Sequence, residues 1–428
     1  MLYEGGQQTC LNGMVSAGSE AGEWVRIITM DRLKILFLTN WYPTQQHPVR
    51  AVWVREHAKA AAIHDDVLVL HCAGPDLALK TSWRMEQETD ENLREGIPVC
   101  RVWYRPAPIP QISYLIYLWR MFQAFRRIRR EGFCPDIIHV HVYDAGGPAV
   151  LLGKLNSIPV VVSEHFSSFP RKLLGHLDIL KARLAFRWAN LVLPVSHALQ
   201  KAIEDYGIRA RFQVVPNIAD TRLFSPSHTR DDTQAKRILF VGQLTPMKGV
   251  THLLHALAQL RQKRDDWQLD IVGNGDARIE YERLAADLKL CDKVAFHGFK
   301  SKPEVAGFMR HAHLFVLSSL CETFSAPAIE ALASGIPVLA TRCGGPEEFI
   351  TKDVGVLVPP GDENSLCKGL DDMLNNLHLY SSKQISQYAM ERFSPEIVGA
   401  KLHAVYRSLS SIRDSLSPVQ QRRFPRAQ

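Results

Sequence analysis

Seven residues separate Glu322 from Glu330 in the run Leu320-Cys-Glu-Thr-Phe-Ser-Ala-Pro-Ala-Ile-Glu-Ala-Leu-Ala-Ser-Gly335. The preceding His313-Leu-Phe-Val-Leu-Ser318 is apolar and short enough for a buried strand. The residues after it read as a strand-to-helix turn, in which Ser325 can cap, Pro327 fits the first helical turn and Gly335 supplies the stop. This puts Glu322 in the loop at the carboxyl end of the strand and Glu330 just inside the helix. Both then line the crevice where open α/β sheets bind ligands, with helix-terminal amides between them. Carboxylates accept hydrogen bonds from sugar hydroxyls, and backbone amides donate to phosphate. A nucleotide sugar offers both kinds of group.

Further chemistry lies on either side. A diphosphate needs cations and backbone donors around it. Lys248, in Arg237-Ile-Leu-Phe-Val-Gly-Gln-Leu-Thr-Pro-Met-Lys-Gly249, follows a strand end at Gly242 and precedes a helix opening near Val250, which places an ammonium over a helix N-terminus. Gly273-Asn-Gly275 closes another strand, where glycine permits close backbone approach to a ligand. In the first half, His165 ends the strand in Val161-Val-Ser-Glu-His-Phe166. His139-Val-His141 puts two rings on one strand face, but no third ligand is evident nearby, so no metal is expected.

In combination these stretches, with Gly335-Ile-Pro-Val-Leu-Ala-Thr-Arg-Cys-Gly-Gly-Pro-Glu-Glu348, resemble the retaining GT-B glycosyltransferases of glycosyltransferase family 4, from about Leu33 to about Ser410. The resemblance implies transfer of a sugar from a nucleoside-diphosphate sugar to a hydroxyl with retention of configuration, without a metal or other cofactor. It implies a donor site at Gln243, Lys248, Gly273, the backbone of Thr323, Phe324 and Ser325, and Glu330, with the Phe296-His-Gly-Phe299 strand end flanking the nucleotide. It assigns contact with the reacting sugar to His165 and Glu322, and brings the loop at Ala51 near the donor phosphate. Two positions depart from the family pattern. Gln243 stands where an arginine is usual, so it can hydrogen-bond a phosphate but cannot neutralise it, and Ala51 stands where glycine is usual. A binding protein silenced at these positions, or a nucleotide-sugar epimerase on the same fold, are the rival readings.

At 428 residues the chain needs two domains. Strand-helix alternation from Lys34 predicts a parallel, doubly wound α/β domain over 32–222, with a last strand at Phe212–Val215. A polar linker over 223–236 separates it from a second Rossmann-like domain over 237–394. The resemblance predicts a helix over 395–411 crossing back to the first domain. Residues 1–31 lack the basic and apolar regions of a signal peptide and read as a disordered leader, with Met30 an alternative start. Residues 412–428 read as a basic tail.

No apolar run is long enough to span a bilayer, and the eight cysteines show no framework spacing, which suits a cytoplasmic protein. The net charge of +7 is spread over both halves, which argues against a nucleic-acid partner. The segment Tyr114–Arg130 carries Arg120, Arg126, Arg127, Arg129 and Arg130 with aromatics and no acid, the composition of a helix that touches an anionic membrane at its inner face. The acceptor expected from this composition is a glycan or lipid-linked glycan in cell-surface polysaccharide, lipopolysaccharide or glycolipid synthesis.

Overall fold

The computed structural model describes residues 32–44, 50–89, 96–227 and 235–415, with side chains through 411. The expected leader, 228–234 of the expected linker and 416–428 of the expected tail lie outside the described residues; the helix expected over 395–411 runs on to Ser415, four residues into the expected tail.

The first sheet contains β1 (Lys34–Thr39), β2 (Asp66–Pro75), β3 (Trp83–Thr89), β4 (Pro98–Tyr104), β5 (Ile137–His141), β6 (Val160–Glu164) and β7 (Leu191–Pro194). Their order is β3-β4-β2-β1-β5-β6-β7, parallel except for the antiparallel edge strand β3. Strands β5 and β6 are buried along their whole length, as befits a parallel sheet covered on both faces. Helices α1 (Val52–Ala62), α2 (Pro110–Arg130), α3 (Gly146–Asn156), α4 (His176–Trp188) and α5 (His197–Glu204) supply that cover. Strands β3 and β4 escape the sequence pattern. The expected strand at Phe212–Val215 is instead a single bridge from Phe212 to Val192.

The second sheet contains β8 (Lys236–Val241), β9 (Trp267–Val272), β10 (Val294–Gly298), β11 (Leu314–Leu317), β12 (Val338–Thr341) and β13 (Gly355–Val358). It is all parallel, in the order β10-β9-β8-β11-β12-β13. Helices α6 (Val250–Arg261), α7 (Arg278–Asp287), α8 (Lys302–His311), α9 (Ala326–Ala333), α10 (Glu363–Asn375) and α11 (Ser382–Phe393) pack on it. The strand order reverses between β8 and β11, and that switch point opens a crevice at their carboxyl ends.

Helix α12 (Pro395–Ser415) returns to the first domain and packs along α1. Val398, Leu402, Val405 and Tyr406 enter the same apolar cluster as Ile35, Phe37 and Val54. Gly399 lies so close to the Ala60 carbonyl that a Cβ would meet it at 2.3 Å, so a side chain there would force the two helices apart.

Candidate functional site

Lys248 and Glu322 meet at the switch point. Lys248 lies in a short turn after β8, Glu322 in the loop after β11, and their Nζ and Oε1 are 2.6 Å apart. Ser319 Oγ donates to the same carboxylate oxygen at 2.7 Å. The loop is braced from behind, because Glu322 N–H donates to the Cys343 carbonyl and Gly345 N–H to the Glu322 carbonyl. Gly249, at φ 64°, lies against the Ser318 backbone, where a Cβ would come within 2.0 Å of the carbonyl oxygen. Only glycine lets the two loops converge.

Gly273 also permits a close approach. At φ 144° its missing side chain faces the Gly242 carbonyl, so the close approach is between two strand ends. Gln243 follows Gly242 and is exposed.

Ser325 does not cap α9. It has φ 88°, makes no side-chain capping bond, and its buried Oγ has no partner among the described residues. Pro327 does occupy the first turn, and Gly335, at φ 69°, follows the helix end as expected. Phe324 is expected to contribute its backbone alone. Its ring packs with Phe349 and Phe393, leaving only its backbone to a ligand. The Thr323 carbonyl accepts from Ser196 Oγ, at the start of α5 in the first domain, at 2.7 Å.

Glu330 is buried in the second turn of α9 and pairs with Lys302, which neither motif nor spacing had singled out. Lys302 opens α8, and its Nζ lies 3.4 Å from Glu330 Oε1 and 3.4 Å from Glu56 Oε1 of α1 in the first domain. Burial raises the Glu330 pKa, with Lys302 opposing the rise. For Glu56 burial also pushes up, but Lys302, Lys59 and Arg55 outweigh it and hold the carboxyl below its ordinary value. One ammonium thus joins a glutamate of each domain.

His165 sits just past β6, stacked on His141 at 5.5 Å between ring centroids and edge-on to His57 at 5.2 Å. His139 continues the cluster, 4.4 Å from the His141 ring, and shares hydrogen bonds with the hydroxyls of Tyr406 (2.6 Å) and Ser163 (2.8 Å). The β-strand period of two made the His139–His141 pairing legible, whereas His57 comes from a separate helix. Burial holds His139, His141 and His165 well below the ordinary histidine range and lowers His57, so the imidazoles are neutral at pH 7. Among the described residues no group of three or more His, Cys, Asp or Glu has the placement to hold a metal ion.

Glu164 fixes the His165 backbone. Its carboxyl accepts from the N–H groups of His165 and Phe166 at 2.8 Å and of Tyr143 at 3.1 Å. Burial pushes its pKa up to about 7, against the pull of those three donors.

Three of the six residues other than glycine with positive φ among the described residues adjoin elements that carry the site. Ala51, Val142 and Ser325, at φ 53°, 68° and 88°, lie next to α1, β5 and α9 respectively. A left-handed conformation costs a residue with a Cβ roughly 1–2 kcal/mol, and such residues persist where surrounding structure fixes them.

Two family models cover the chain in sequence. Residues 51–223 match the model described as Glycosyltransferase Family 4, and residues 220–392 match Glycosyl transferases group 1. This chain is a GT-B glycosyltransferase of family 4. The MMP α-(1→4)-mannosyltransferase of Mycolicibacterium hassiacum is 32% identical over 247 residues, 55% of this chain and 58% of that protein. The putative teichuronic acid biosynthesis glycosyltransferase TuaC of Bacillus subtilis is 26% identical over 79% of this chain and 88% of its own length. Among solved structures, Anabaena HepE in complex with UDP superposes with a TM-score of 0.70 at 22% identity, over 88% of this chain and all of that one. The sucrose-phosphate synthase of Thermosynechococcus elongatus gives 0.67 at 20% identity over 89% of this glycosyltransferase and all of its own chain. These similarities establish the two-domain α/β architecture that the sequence predicts.

Proposed function

We propose that this glycosyltransferase moves a sugar from a nucleoside-diphosphate sugar to a hydroxyl of a glycan or lipid-linked glycan, with retention of configuration. The observation that carries the reading is the Lys248–Glu322 pair, held at 2.6 Å where the strand order of the second sheet reverses. Lys248, the Gln243 amide and the amides at the start of α9 would bind the diphosphate. Glu322 would accept from sugar hydroxyls and Glu330 from the ribose.

The bond from the anomeric carbon to the β-phosphate oxygen breaks as the acceptor oxygen attacks from the same face. The departing phosphate takes the acceptor proton, so no side-chain nucleophile is needed. Neutral His165, held by Glu164, would hydrogen-bond the reacting sugar. Lys248 and the helix-terminal amides stabilise the charge developing on the leaving group. A domain interface around the donor excludes water and limits hydrolysis.

HepE has been solved in complex with UDP and with UDP-glucose, which supports a nucleotide-sugar donor of that class. We expect action without a metal, in the cytoplasm, with the exposed arginines of α2 in peripheral contact with an anionic membrane. No helix among the described residues is long and apolar enough to cross a membrane.

The test is a thermal-shift series with UDP, GDP, ADP and dTDP, with magnesium or with a chelator. One nucleotide should raise the Tm equally in both conditions, through binding to the folded state alone. Lys248→Ala and Glu330→Ala should abolish the shift. Failure of every nucleotide to shift the wild-type Tm would overturn the donor reading.

A further inference from the structure

Exposed apolar side chains are unevenly distributed over this protein. Twelve of the nineteen large ones among the described residues fall between Ile109 and Trp188, on α2, α3, α4 and the segments that lead into them. Scattered single exposures need no explanation, but a contiguous set marks an interaction surface.

Helix α4 shows the pattern most clearly. Leu177, Leu180, Leu184 and Trp188 recur at intervals of three or four, the spacing of one helical face, and all are exposed to solvent, as is Leu173 in the segment before the helix. Leu177 is 72% exposed. The opposite face, with Ala182, Ala185 and Phe186, already fills the core, so α4 carries a second apolar stripe that the fold does not use. Leu151 and Leu155 add a shorter stripe on α3, and Ile112, Leu115 and Trp119 another on α2.

The three helices lie side by side. Gly147 of α3 faces the Tyr114 hydroxyl of α2, and Gly146 faces Ala185 of α4. At the other end of α3, Asn156 accepts from Arg129 of α2 at 2.7 Å, and Lys154 covers the Trp188 ring of α4.

The charge around these stripes identifies the occupant. Segments 105–131, 146–156 and 170–188 carry twelve Lys and Arg against only Glu131 and Asp178, while the whole chain is +7. The rest of the molecule is therefore net acidic. An apolar stripe flanked by cations suits an interface of acyl chains beneath anionic headgroups.

We propose that α2, α3 and α4 form a docking face for an anionic phospholipid bilayer, with the leucine stripe of α4 as its principal seat. Leu173 precedes the stripe in the segment that leaves β6 just past His165, so the docked face borders the acceptor side of the cleft. Docking deepens the membrane contact expected of the α2 arginines by adding the apolar seat on α4, and it does not depend on the glycosyl-transfer reading. The added consequence, that the acceptor is carried by a lipid, rests on the glycosyl-transfer reading.

The experiment is co-sedimentation of the full chain with vesicles of phosphatidylcholine alone or mixed with phosphatidylglycerol, at low and high salt. The variant is Leu177→Glu/Leu180→Glu, which changes only solvent-facing positions. The wild type should bind the mixed vesicles, release in high salt, and bind at least tenfold more tightly than the variant. The variant should keep the wild-type Tm and nucleotide-induced shift. Equal binding by both proteins, equal binding to both vesicle types, or a wild-type dimer that the variant dissolves without vesicle binding would each overturn the proposal. Vesicle binding with no nucleotide shift would leave the docking face standing and remove the donor reading.

Discussion

Lys302 shows what a motif-based reading leaves out. Glu322 and Glu330 announce themselves by type and spacing, but the cation that satisfies Glu330 lies 28 positions away on another helix. Nothing local distinguishes Lys302 from Lys300, which reaches Glu304 on the surface. A buried carboxylate that loses its partner is strongly destabilised, although the partial exposure of Lys302 moderates the effect. Lys302→Met should therefore weaken nucleotide binding about tenfold, or about 1.4 kcal/mol, in calorimetric titration. Glu56→Gln leaves Glu330 paired and should weaken it less. Equal losses would mean that the bridge between domains, rather than the charge on Glu330, governs donor affinity.

At the scale of elements, most strands and helices that position the site were legible because parallel strands buried on both faces leave dense apolar runs. The ends of β1, β6, β8 and β11 lie within a residue or two of where the pattern puts them. The exceptions have physical causes. Strand β3, at the sheet edge, alternates half-buried and exposed residues and carries Arg84, Glu86 and Glu88, so it lacks the apolar signal. Ser325 has the residue type of a helix cap but not the backbone, since its φ of 88° lies outside the extended region that caps adopt. A serine cap does form at α5, where Ser196 Oγ accepts from Leu199 N–H and donates to the Thr323 carbonyl in the loop that carries Glu322. Ser196→Ala removes both bonds. It should lower stability by about 1–2 kcal/mol in chemical denaturation, more than a cap in a single domain typically contributes. Ser196→Thr should recover most of the loss, because its hydroxyl can make the same bonds.

The behaviour of the whole molecule with pH follows from its buried histidines. In the folded protein His57, His139, His141 and His165 have depressed pKa values, whereas in the unfolded chain they titrate near 6.5. The unfolded state thus binds more protons as pH falls, and the stability these groups contribute above about pH 6.5 is lost below it. Glu164 and Asp144, raised to about 7 and about 6 by burial, act in the opposite direction, as do Glu330 and Asp65, also raised by burial, while His71, lowered to about 3 by burial, joins the histidines. The Tm should fall between pH 7.5 and pH 5.5, and His141→Asn should reduce the slope. A flat or rising profile toward acid would show that these histidines are charged in the folded state.

The return of α12 to α1 sets the order in which the protein can be completed on the ribosome. The first domain carries β1, yet Tyr406, which bonds His139, and Val398 and Leu402, which close its apolar cluster, belong to α12, beyond the whole second domain. Nascent domains generally fold as they emerge. Here the first domain to appear waits for residues translated after the entire second domain. Until then its α1 face is bare, so the second domain finishes first and the first domain closes around α12.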